Sequence, residues 1–501
     1  MRRRLPAAAA VAAATAIVAV AISAWPFTVD DAYIVARYAS RIAAGDGYTM
    51  DDGPPTDGVT GPLWLVPMIL ARLLGSADPI AWAKIAGVIC AALAAIAVVE
   101  RARSRAGGRR AATAVAALVA CGPTIGIWSV AGLETGAATL AMTVAALAAT
   151  ARPLPRGVVC GVALGALAWL RPEAAVAGIV LVATLAMRDR ARAFVAASVA
   201  GAVALGVVLF RVGLFGDPVP MSFQAKPGAP DDGFFYVLRA VVVSTSVIGV
   251  GLAAVAVRRG RDGDRAIGAA LVAHLAAVTF AGGDWMPGYR LVAPVLPMYA
   301  LLAGEGAAAL ARARRLPGGR RGRAFALVAL VAVTCALPAV DLLAELPAVR
   351  DAGRTREAVA RPLARWLAVY ARRVALVDVG YLAYESGLPV VDLGGLTDPR
   401  IARAPGGHLS KQIDAGLFAL LAPDTIVLHA ASEPVVTRDG SLWTLPSAYP
   451  VERRVATFDW VRSSFRVVRV VRYSPGYVYV VLARQRGTGG RAGATADPSV
   501  R

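Results

Sequence analysis

Two adjacent carboxylates, Asp30 and Asp31, follow the first long apolar run of the chain. Ionisable side chains at membrane depth are costly and tend to mark functional sites. Because neighbouring carboxylates repel each other, one of the two can accept a proton near neutral pH and act as a general base. The structural alternative is that both are solvated residues that cap the helix starting near Tyr33. Asp30 and Asp31 are therefore the candidate catalytic residues.

Further aromatic and charged residues interrupt the later apolar runs. The turn at 282–290 is the densest interruption, and it combines glycines, aromatic rings and charges. A fixed cation beside the membrane suits a lipid phosphate, because it stabilises charge on the phosphate oxygens. Two of the residues also have simpler interpretations, since Glu134 could start a helix and Arg171 could extend its charged end to the membrane surface. The candidate substrate-binding residues are Tyr33, Trp64, Glu134, Arg171, Glu173, Lys226, Asp284, Trp285 and Arg290.

Long apolar runs dominate the elements that must position these residues. Of the 501 residues, 57% are hydrophobic and 17% are charged, which is too apolar for an ordinary soluble domain. A helix needs about 20 apolar residues to cross the ~30 Å core of a bilayer. The sequence therefore predicts a polytopic α-helical membrane protein with about eleven transmembrane helices, at 7–25, 79–99, 111–130, 136–151, 157–171, 173–187, 193–213, 236–257, 266–282, 289–311 and 323–341.

The arginine clusters give an independent test of this topology. With these spans, every cluster falls on one side of the membrane, as the positive-inside rule requires of cytoplasmic loops; the clusters lie at 2–4, 101–110, 152–156, 188–192, 258–265 and 312–323. A span at 61–74 would break this pattern, so that short segment is predicted to be a re-entrant or interfacial helix on the outer face, with a true short span as the alternative. The net charge of +20 thus reflects topology, and nucleic acid is excluded as a partner.

The character of the chain changes after about residue 342. Charges alternate with apolar residues at 350–373 as in an amphipathic helix, and short apolar runs at 374–379, 390–393 and 425–429 are typical of buried strands. The segments 465–473 and 477–483 flank a Ser-Pro-Gly turn and predict a hairpin. The predicted domains are a transmembrane catalytic domain at 1–341, a soluble extracytoplasmic α/β domain at 342–485 and a disordered tail at 486–501.

The motifs in the predicted outer loops, taken in order, resemble a known family. The chain is similar to the GT-C superfamily of glycosyltransferases that use polyprenyl-phosphate sugars, and most closely to the branch of mycobacterial terminal arabinofuranosyltransferases. The resemblance runs from about residue 26 to about residue 430. It is carried by Val29-Asp30-Asp31-Ala32-Tyr33, Thr60-Gly61-Pro62-Leu63-Trp64, Gly132-Leu133-Glu134-Thr135, Arg171-Pro172-Glu173, Gly216-Asp217-Pro218 with Ala225-Lys226, Gly283-Asp284-Trp285-Met286-Pro287-Gly288, Gly387-Leu388-Pro389 and Asp392-Leu393-Gly394-Gly395-Leu396-Thr397-Asp398.

The resemblance implies sugar transfer on the outer face of a bacterial cytoplasmic membrane. The donor would be a polyprenyl-phosphate sugar, with arabinofuranose as one option, and the acceptor an envelope glycan or lipid. The family's catalytic carboxylate maps to Asp30 or Asp31. No organic cofactor is expected, and the acidic first loop leaves a divalent metal open, since hard oxygen ligands suit such ions. Phe223-Gln224 and Gly288-Tyr289-Arg290 depart from the family's pattern, so the donor sugar is not assigned.

Two other functions are compatible with many spans and a charged outer surface. A transporter or flippase of a lipid-linked envelope precursor would need membrane-embedded charges, but it should show paired repeats and charges near the bilayer midplane. The sequence shows neither pattern. A scaffold that keeps the fold without chemistry would have no need of both aspartates.

Overall fold

The computed structural model describes residues 5–105, 108–151, 155–226, 230–284, 286–312, 319–437, 439–446 and 448–485. The predicted tail at 486–501 lies outside the described residues. The helices are α1 Leu5–Ser23, α2 Asp30–Ala44, α3 Leu65–Leu73, α4 Pro79–Arg103, α5 Gly108–Cys121, α6 Pro123–Ser129, α7 Thr135–Ala149, α8 Pro155–Leu170, α9 Ala175–Ala186, α10 Arg190–Phe215, α11 Met221–Ala225, α12 Pro230–Thr245, α13 Val247–Arg259, α14 Asp262–Phe280, α15 Leu296–Ala311, α16 Gly319–Thr355, α17 Arg361–Tyr370, α18 Tyr381–Ser386, α19 Pro399–Ala402, α20 Ala415–Leu420, α21 Pro450–Ala456 and α22 Asp459–Ser464. The strands are β1 Val374–Leu376, β2 Val390–Asp392, β3 Thr425–Ala430, β4 Val435–Val436, β5 Leu442–Thr444, β6 Phe465–Ser474 and β7 Tyr477–Arg484.

The chain divides into two compact units. The first comprises Met1–Ala32, Thr60–Pro218 and Gly228–Ala352, and the second comprises Tyr33–Val59, Val219–Pro227 and Gly353–Arg501. The sequence predicts 33–59 and 219–227 as outer loops of the transmembrane domain. Long-range hydrogen bonds place both segments in the second unit instead: Asp51 Oδ2 accepts from Val390 N at 2.8 Å, and Lys411 Nζ donates to Gln224 O at 3.4 Å.

Apolar helices make up the first unit. Four helices of the described residues are long and apolar enough to cross a membrane, namely Pro79–Arg103, Arg190–Phe215, Ala293–Ala311 and Arg321–Tyr370. The helices Asp231–Thr245 and Val247–Arg259 are together long and apolar enough to cross a membrane, but the chain is bent by 86° between them. The polytopic helical class is thus confirmed. The count of about eleven spans stays a prediction, because several predicted spans correspond to apolar helices of 10–17 residues.

The segment Pro62–Leu73 is one of these shorter apolar helices. At 1.5 Å per residue it is far shorter than the ~30 Å needed to cross a bilayer. Large apolar side chains such as Leu70 and Leu73 are nevertheless exposed along it. This combination favours the re-entrant or interfacial helix that the arginine pattern predicts.

Small residues allow the helices of the first unit to pack closely. The core includes Ala91, Ala145 and Cys160, all fully buried. Where α4 meets α7, a Cβ on Gly136 would lie 2.3 Å from the carbonyl oxygen of Gly87, a distance that only glycine permits. Small residues let helix backbones approach in this way inside membranes. The contact fixes the N-terminal end of α7, directly after Glu134.

The second unit contains a mixed five-stranded sheet with the order β2-β1-β3-β7-β6. Strand β1 pairs parallel to β2 and β3, while β7 runs antiparallel to both β3 and β6. All five predicted strands are present at their predicted positions. Helices pack against the sheet around buried Ile426, Phe418 and Val480, which confirms the α/β character of this part of the chain.

Candidate active site

The first unit places Asp30 and Asp31 in the first turn of α2. Carboxylates in this position interact favourably with the helix dipole, so the capping interpretation describes part of their role. The turn before them is anchored, because Val29 N donates to Ala131 O at 3.1 Å. Both side chains are half-buried, and the Asp31 carboxylate is 28% exposed. A substrate can therefore reach a carboxylate that is held on a rigid helix end.

Arg290 joins this helix end to the glycine-rich turn. Its guanidinium forms an ion pair with the Asp284 carboxylate and lies 4.0 Å from Asp31 Oδ2. It also stands over the ring of Trp128, with 5.6 Å between the guanidinium carbon and the ring centroid. The side chains of Arg290 and Asp284 are only 11% and 6% exposed. Three residues predicted from two separate loops, Asp31 in the first and Asp284 and Arg290 in the turn at 282–290, thus meet at one place.

The turn that carries Arg290 is built from residues in the left-handed conformation. Gly282, Gly283 and Gly288 all have φ between 70° and 90°, and the non-glycine Tyr289 has φ of 55°. A Cβ on Gly288 would lie 3.0 Å from Trp128 Nε1. Left-handed backbone costs a side chain about 1–3 kcal/mol and clusters at functional sites. The turn therefore holds Arg290 in a position that ordinary loop sequences would not reach.

Arg171 is the centre of a second ion-pair group. Its Nε lies 2.7 Å from Glu134 Oε1, and its Nη1 lies 3.1 Å from Glu173 Oε1. All three side chains are at most 15% exposed, so Arg171 is paired inside the protein and does not extend to the membrane surface. A Coulombic attraction also links Arg171 to Asp284. The two groups therefore belong to one electrostatic network.

Carboxylates outnumber guanidinium groups in this network. The ion pairs described above join Asp31, Asp284, Glu134 and Glu173 to Arg171 and Arg290. Asp31 is the most exposed of the four, at 28%, and is thus the one best placed to meet a substrate hydroxyl.

The remaining predicted site residues are Trp64, Tyr33, Lys226 and Trp285. The Trp64 indole is buried and donates to Gly132 O at 2.9 Å, so it fixes the turn before Glu134. Tyr33 belongs to the second unit, where its ring packs on Tyr381 at 4.8 Å between centroids. Lys226 also belongs to the second unit and follows α11. Trp285 lies outside the described residues.

Three residues that the sequence does not single out support the site. Trp128 is fully buried and donates from Nε1 to Pro287 O at 3.2 Å. Tyr236 accepts from Leu291 N at 3.2 Å, and His274 Nε2 bonds to Leu291 O at 2.7 Å. All three lie inside apolar runs that predict only spans. A single polar or aromatic residue within such a run cannot be distinguished from other residues of a span, so the sequence carried no usable signal.

No group of three or more His, Cys, Asp or Glu side chains in the described part of the chain is arranged to hold a metal ion. We therefore assign no metal ligand. The carboxylates of the network are instead paired with guanidinium groups.

Comparison with known proteins gives a match to the C-terminal part of the chain and a match to nearly its whole length. A family model described as a domain of unknown function (DUF8728) matches residues 348–481. A search of the curated proteins finds no match for this chain. Among solved structures, the crystal structure of ArnT from Cupriavidus metallidurans bound to undecaprenyl phosphate is similar over 96% of this chain and 99% of that chain, with a TM-score of 0.58 and 15% sequence identity.

The fold defines the class of protein to which the chain belongs. The chain is a polytopic helical membrane protein with an α/β unit. Because the structural match extends over nearly the full length of both chains, it shows that this chain shares the fold of ArnT. The resemblance to the GT-C superfamily stays a prediction. The narrower resemblance to arabinofuranosyltransferases stays a prediction.

Proposed function

We propose that the chain is an inverting glycosyltransferase that moves a sugar from a polyprenyl-phosphate donor to an envelope glycan or lipid. The observation that carries this proposal is the meeting of Asp31 with Arg290 in a unit that shares the fold of ArnT. That relative was crystallised with undecaprenyl phosphate bound. Arabinofuranose as the sugar, and the outer face of a bacterial cytoplasmic membrane as the location, rest on the family resemblance.

In the proposed reaction, Asp31 or Asp30 takes the proton from an acceptor hydroxyl. The hydroxyl oxygen attacks the anomeric carbon through an oxocarbenium-like transition state, and the bond from that carbon to the phosphate oxygen breaks. The electron pair leaves with the lipid phosphate. A phosphate is a good leaving group and needs no general acid, but it needs fixed positive charge. Arg290 supplies this charge beside the base, and a single displacement inverts the anomeric configuration.

The other predicted residues have supporting roles in the proposal. Arg171 with Glu134 and Glu173 positions the loops around the site, and Asp284 orients Arg290. Trp64 holds the turn before Glu134, while Tyr33, Lys226 and Trp285 are proposed substrate contacts. The second unit is proposed to be extracytoplasmic, following the predicted topology.

A lipid-linked-precursor flippase is the second candidate, and one observation favours it. The helix pair Asp231–Thr245 and Val247–Arg259 is bent by 86° at Ser246, and broken helices line the substrate path of many transporters. Ser246 itself has φ of 55°. The two functions differ in whether a covalent bond is made.

Proteoliposomes containing the full chain separate these functions. They would be supplied with radiolabelled polyprenyl-phosphate pentoses and hexoses, together with acceptor glycans from the envelope. The proposal expects transfer of at least one sugar, with stoichiometric release of polyprenyl phosphate and inverted configuration in the product. Movement of intact donor across the bilayer without transfer would overturn it in favour of the flippase. Transfer with retained configuration would overturn the single-displacement mechanism.

A further inference from the structure

The hairpin of β6 and β7 in the second unit frames a cavity that the proposed chemistry does not use. The cavity has a volume of about 450 Å³, which lies within the usual range for small-ligand sites. Its walls come from the segment after β3 and from the hairpin turn, and they include Ser432, Glu433, Arg472, Tyr473 and Gly476. The cavity therefore lies at one end of strands β3, β7 and β6 of the second unit.

A cluster of tyrosine rings around the Asp378 carboxylate packs against Tyr473 in the cavity wall. Asp378 Oδ2 accepts from Tyr477 at 2.9 Å and from Tyr479 at 3.0 Å. The Tyr473 ring, which lines the cavity, packs on Tyr477 and Tyr479 with centroid separations of 5.3 and 5.6 Å. Hydroxyl groups that are tied to a carboxylate cannot rotate freely. The Tyr473 ring packs on these two anchored rings, which restricts its motion and lowers the entropy lost when a ligand binds.

His429 fixes the Asp378 carboxylate in turn. Its Nε2 lies 3.0 Å from Asp378 Oδ2, and its Nδ1 lies 2.6 Å from Glu452 Oε1. Although burial alone would raise the pKa of Asp378, the facing His429 and the two tyrosine hydroxyls lower it to about 2. Burial likewise opposes charge on His429, but the two carboxylates raise its pKa to about 10. The cluster therefore keeps one arrangement across the physiological pH range.

The open side of the cavity presents paired charges. Arg472 Nη2 lies 3.2 Å from Glu433 Oε1, and both side chains are about 70% exposed, at 71% and 70%. Hydroxyl groups of a ligand can donate to the carboxylate and accept from the guanidinium. An anionic ligand would meet the Glu433 carboxylate, and a cationic one would meet Arg472. The pair therefore favours a neutral ligand rich in hydroxyl groups.

We infer that this cavity binds a neutral sugar unit of a glycan, with the Tyr473 ring against the sugar's C–H face and the Arg472–Glu433 pair on its hydroxyls. Tyrosine offers a large, rigid and amphipathic surface for such a contact. The cavity volume admits one or two sugar rings. That the bound glycan is the acceptor of the transfer reaction rests on the proposed function, whereas the binding itself does not.

The binding can be measured without sugar transfer. The full chain in lipid nanodiscs would be applied to an array of neutral pentose and hexose oligosaccharides, uronic-acid oligosaccharides and peptides, and binding would be quantified by saturation-transfer NMR. Tyr473→Ala removes the ring and Ser432→Trp fills the cavity from an exposed position. Tyr370→Ala is the control, because Tyr370 is an exposed tyrosine on α17 away from the cavity lining.

The inference expects a neutral oligosaccharide to bind, with affinity at least about tenfold weaker in both cavity variants and unchanged in the control, as expected for loss of one aromatic contact of about 1.4 kcal/mol or more. It is overturned if no neutral oligosaccharide binds, if the cavity variants bind it as well as wild type, or if the cavity instead selects peptides or uronic acids. Glycan binding in a protein that transfers no sugar would contradict the proposed function alone. Transfer without cavity-dependent binding would contradict this inference alone.

Discussion

Replacing Arg290 by Gln removes the cation beside the proposed base while keeping a polar side chain of similar length. Loss of one fixed group that stabilises transition-state charge costs about 10²–10³ in rate, or about 3–4 kcal/mol. A Coulomb estimate agrees in size. Two unit charges about 4 Å apart, as a guanidinium beside a leaving phosphate would be, interact by about 4 kcal/mol at an effective dielectric constant of about 20. We therefore expect transfer by Arg290→Gln to fall by about 10²–10³.

The variant also has a structural cost that must be separated from the catalytic one. Asp284 is 6% exposed and would be left without its ion-pair partner, which destabilises a protein by about 3–5 kcal/mol. The double variant Asp284→Asn with Arg290→Gln removes both charges. We expect its thermal stability to recover toward that of wild type, while its rate of transfer stays low.

Single-turnover transfer from a bound lipid-phosphate sugar measures the chemical step in each variant. Arg265→Gln is the matched control, because Arg265 is 61% exposed and pairs with the neighbouring Asp262, at 3.3 Å. Its rate should equal that of wild type. If the folded double variant transfers sugar within threefold of the wild-type rate, Arg290 does not stabilise the leaving phosphate and the reasoning fails.

Three further predictions test other parts of the structure. Arg171→Met leaves two buried carboxylates unpaired, so we expect a loss of about 3–5 kcal/mol in the free energy of unfolding, and an unchanged melting temperature in detergent would contradict the ion-pair network. Gly288→Ala should lower both transfer and stability, because a φ of 77° disfavours a side chain and a Cβ there would lie 3.0 Å from the indole of Trp128. Gly216→Ala is the control, since Gly216 has a similar φ of 74° but open space around it, and it should lower stability alone. The pKa of His429 is raised from 6.5 to about 10 and that of Asp378 is lowered from 3.8 to about 2, so the ion pair contributes its full stability to the second unit between about 3.8 and about 6.5; the contribution is lost progressively as pH rises from there to about 10 or falls from there to about 2. His429→Gln should flatten the pH dependence of unfolding of the second unit, measured on the full chain by hydrogen exchange in β3, and a profile identical to wild type would refute the pairing.

Local patterns predict the elements of this chain better than the contacts between them. The strands at 374–376, 390–392 and 425–430 could be predicted because each is a short apolar run bounded by polar or turn residues. The bond from Val390 to Asp51 crosses 339 residues and has no local signature. That contact is why the assignment of 33–59 to the second unit could not be predicted.

The candidate site shows the same contrast. Asp31, Asp284 and Arg290 stand out because charges are rare between apolar runs, and the structure brings these three together. Trp128 could not be recognised, because a tryptophan within an apolar run looks like any other span residue. Arg171 was visible, but its pairing with Glu134 depends on the packing of α7 against α8, which sequence periodicity does not specify.

The central claim is that a carboxylate in the first turn of α2 removes the acceptor proton. Its most direct test is the single-turnover rate of sugar transfer by Asp30→Asn and by Asp31→Asn, with Asp52→Asn as a control because Asp52 is 94% exposed. Loss of a general base typically lowers the rate by about 10²–10⁴, so one of the two variants should fall by this factor while donor binding is retained. Wild-type rates in both Asp30→Asn and Asp31→Asn would contradict the account.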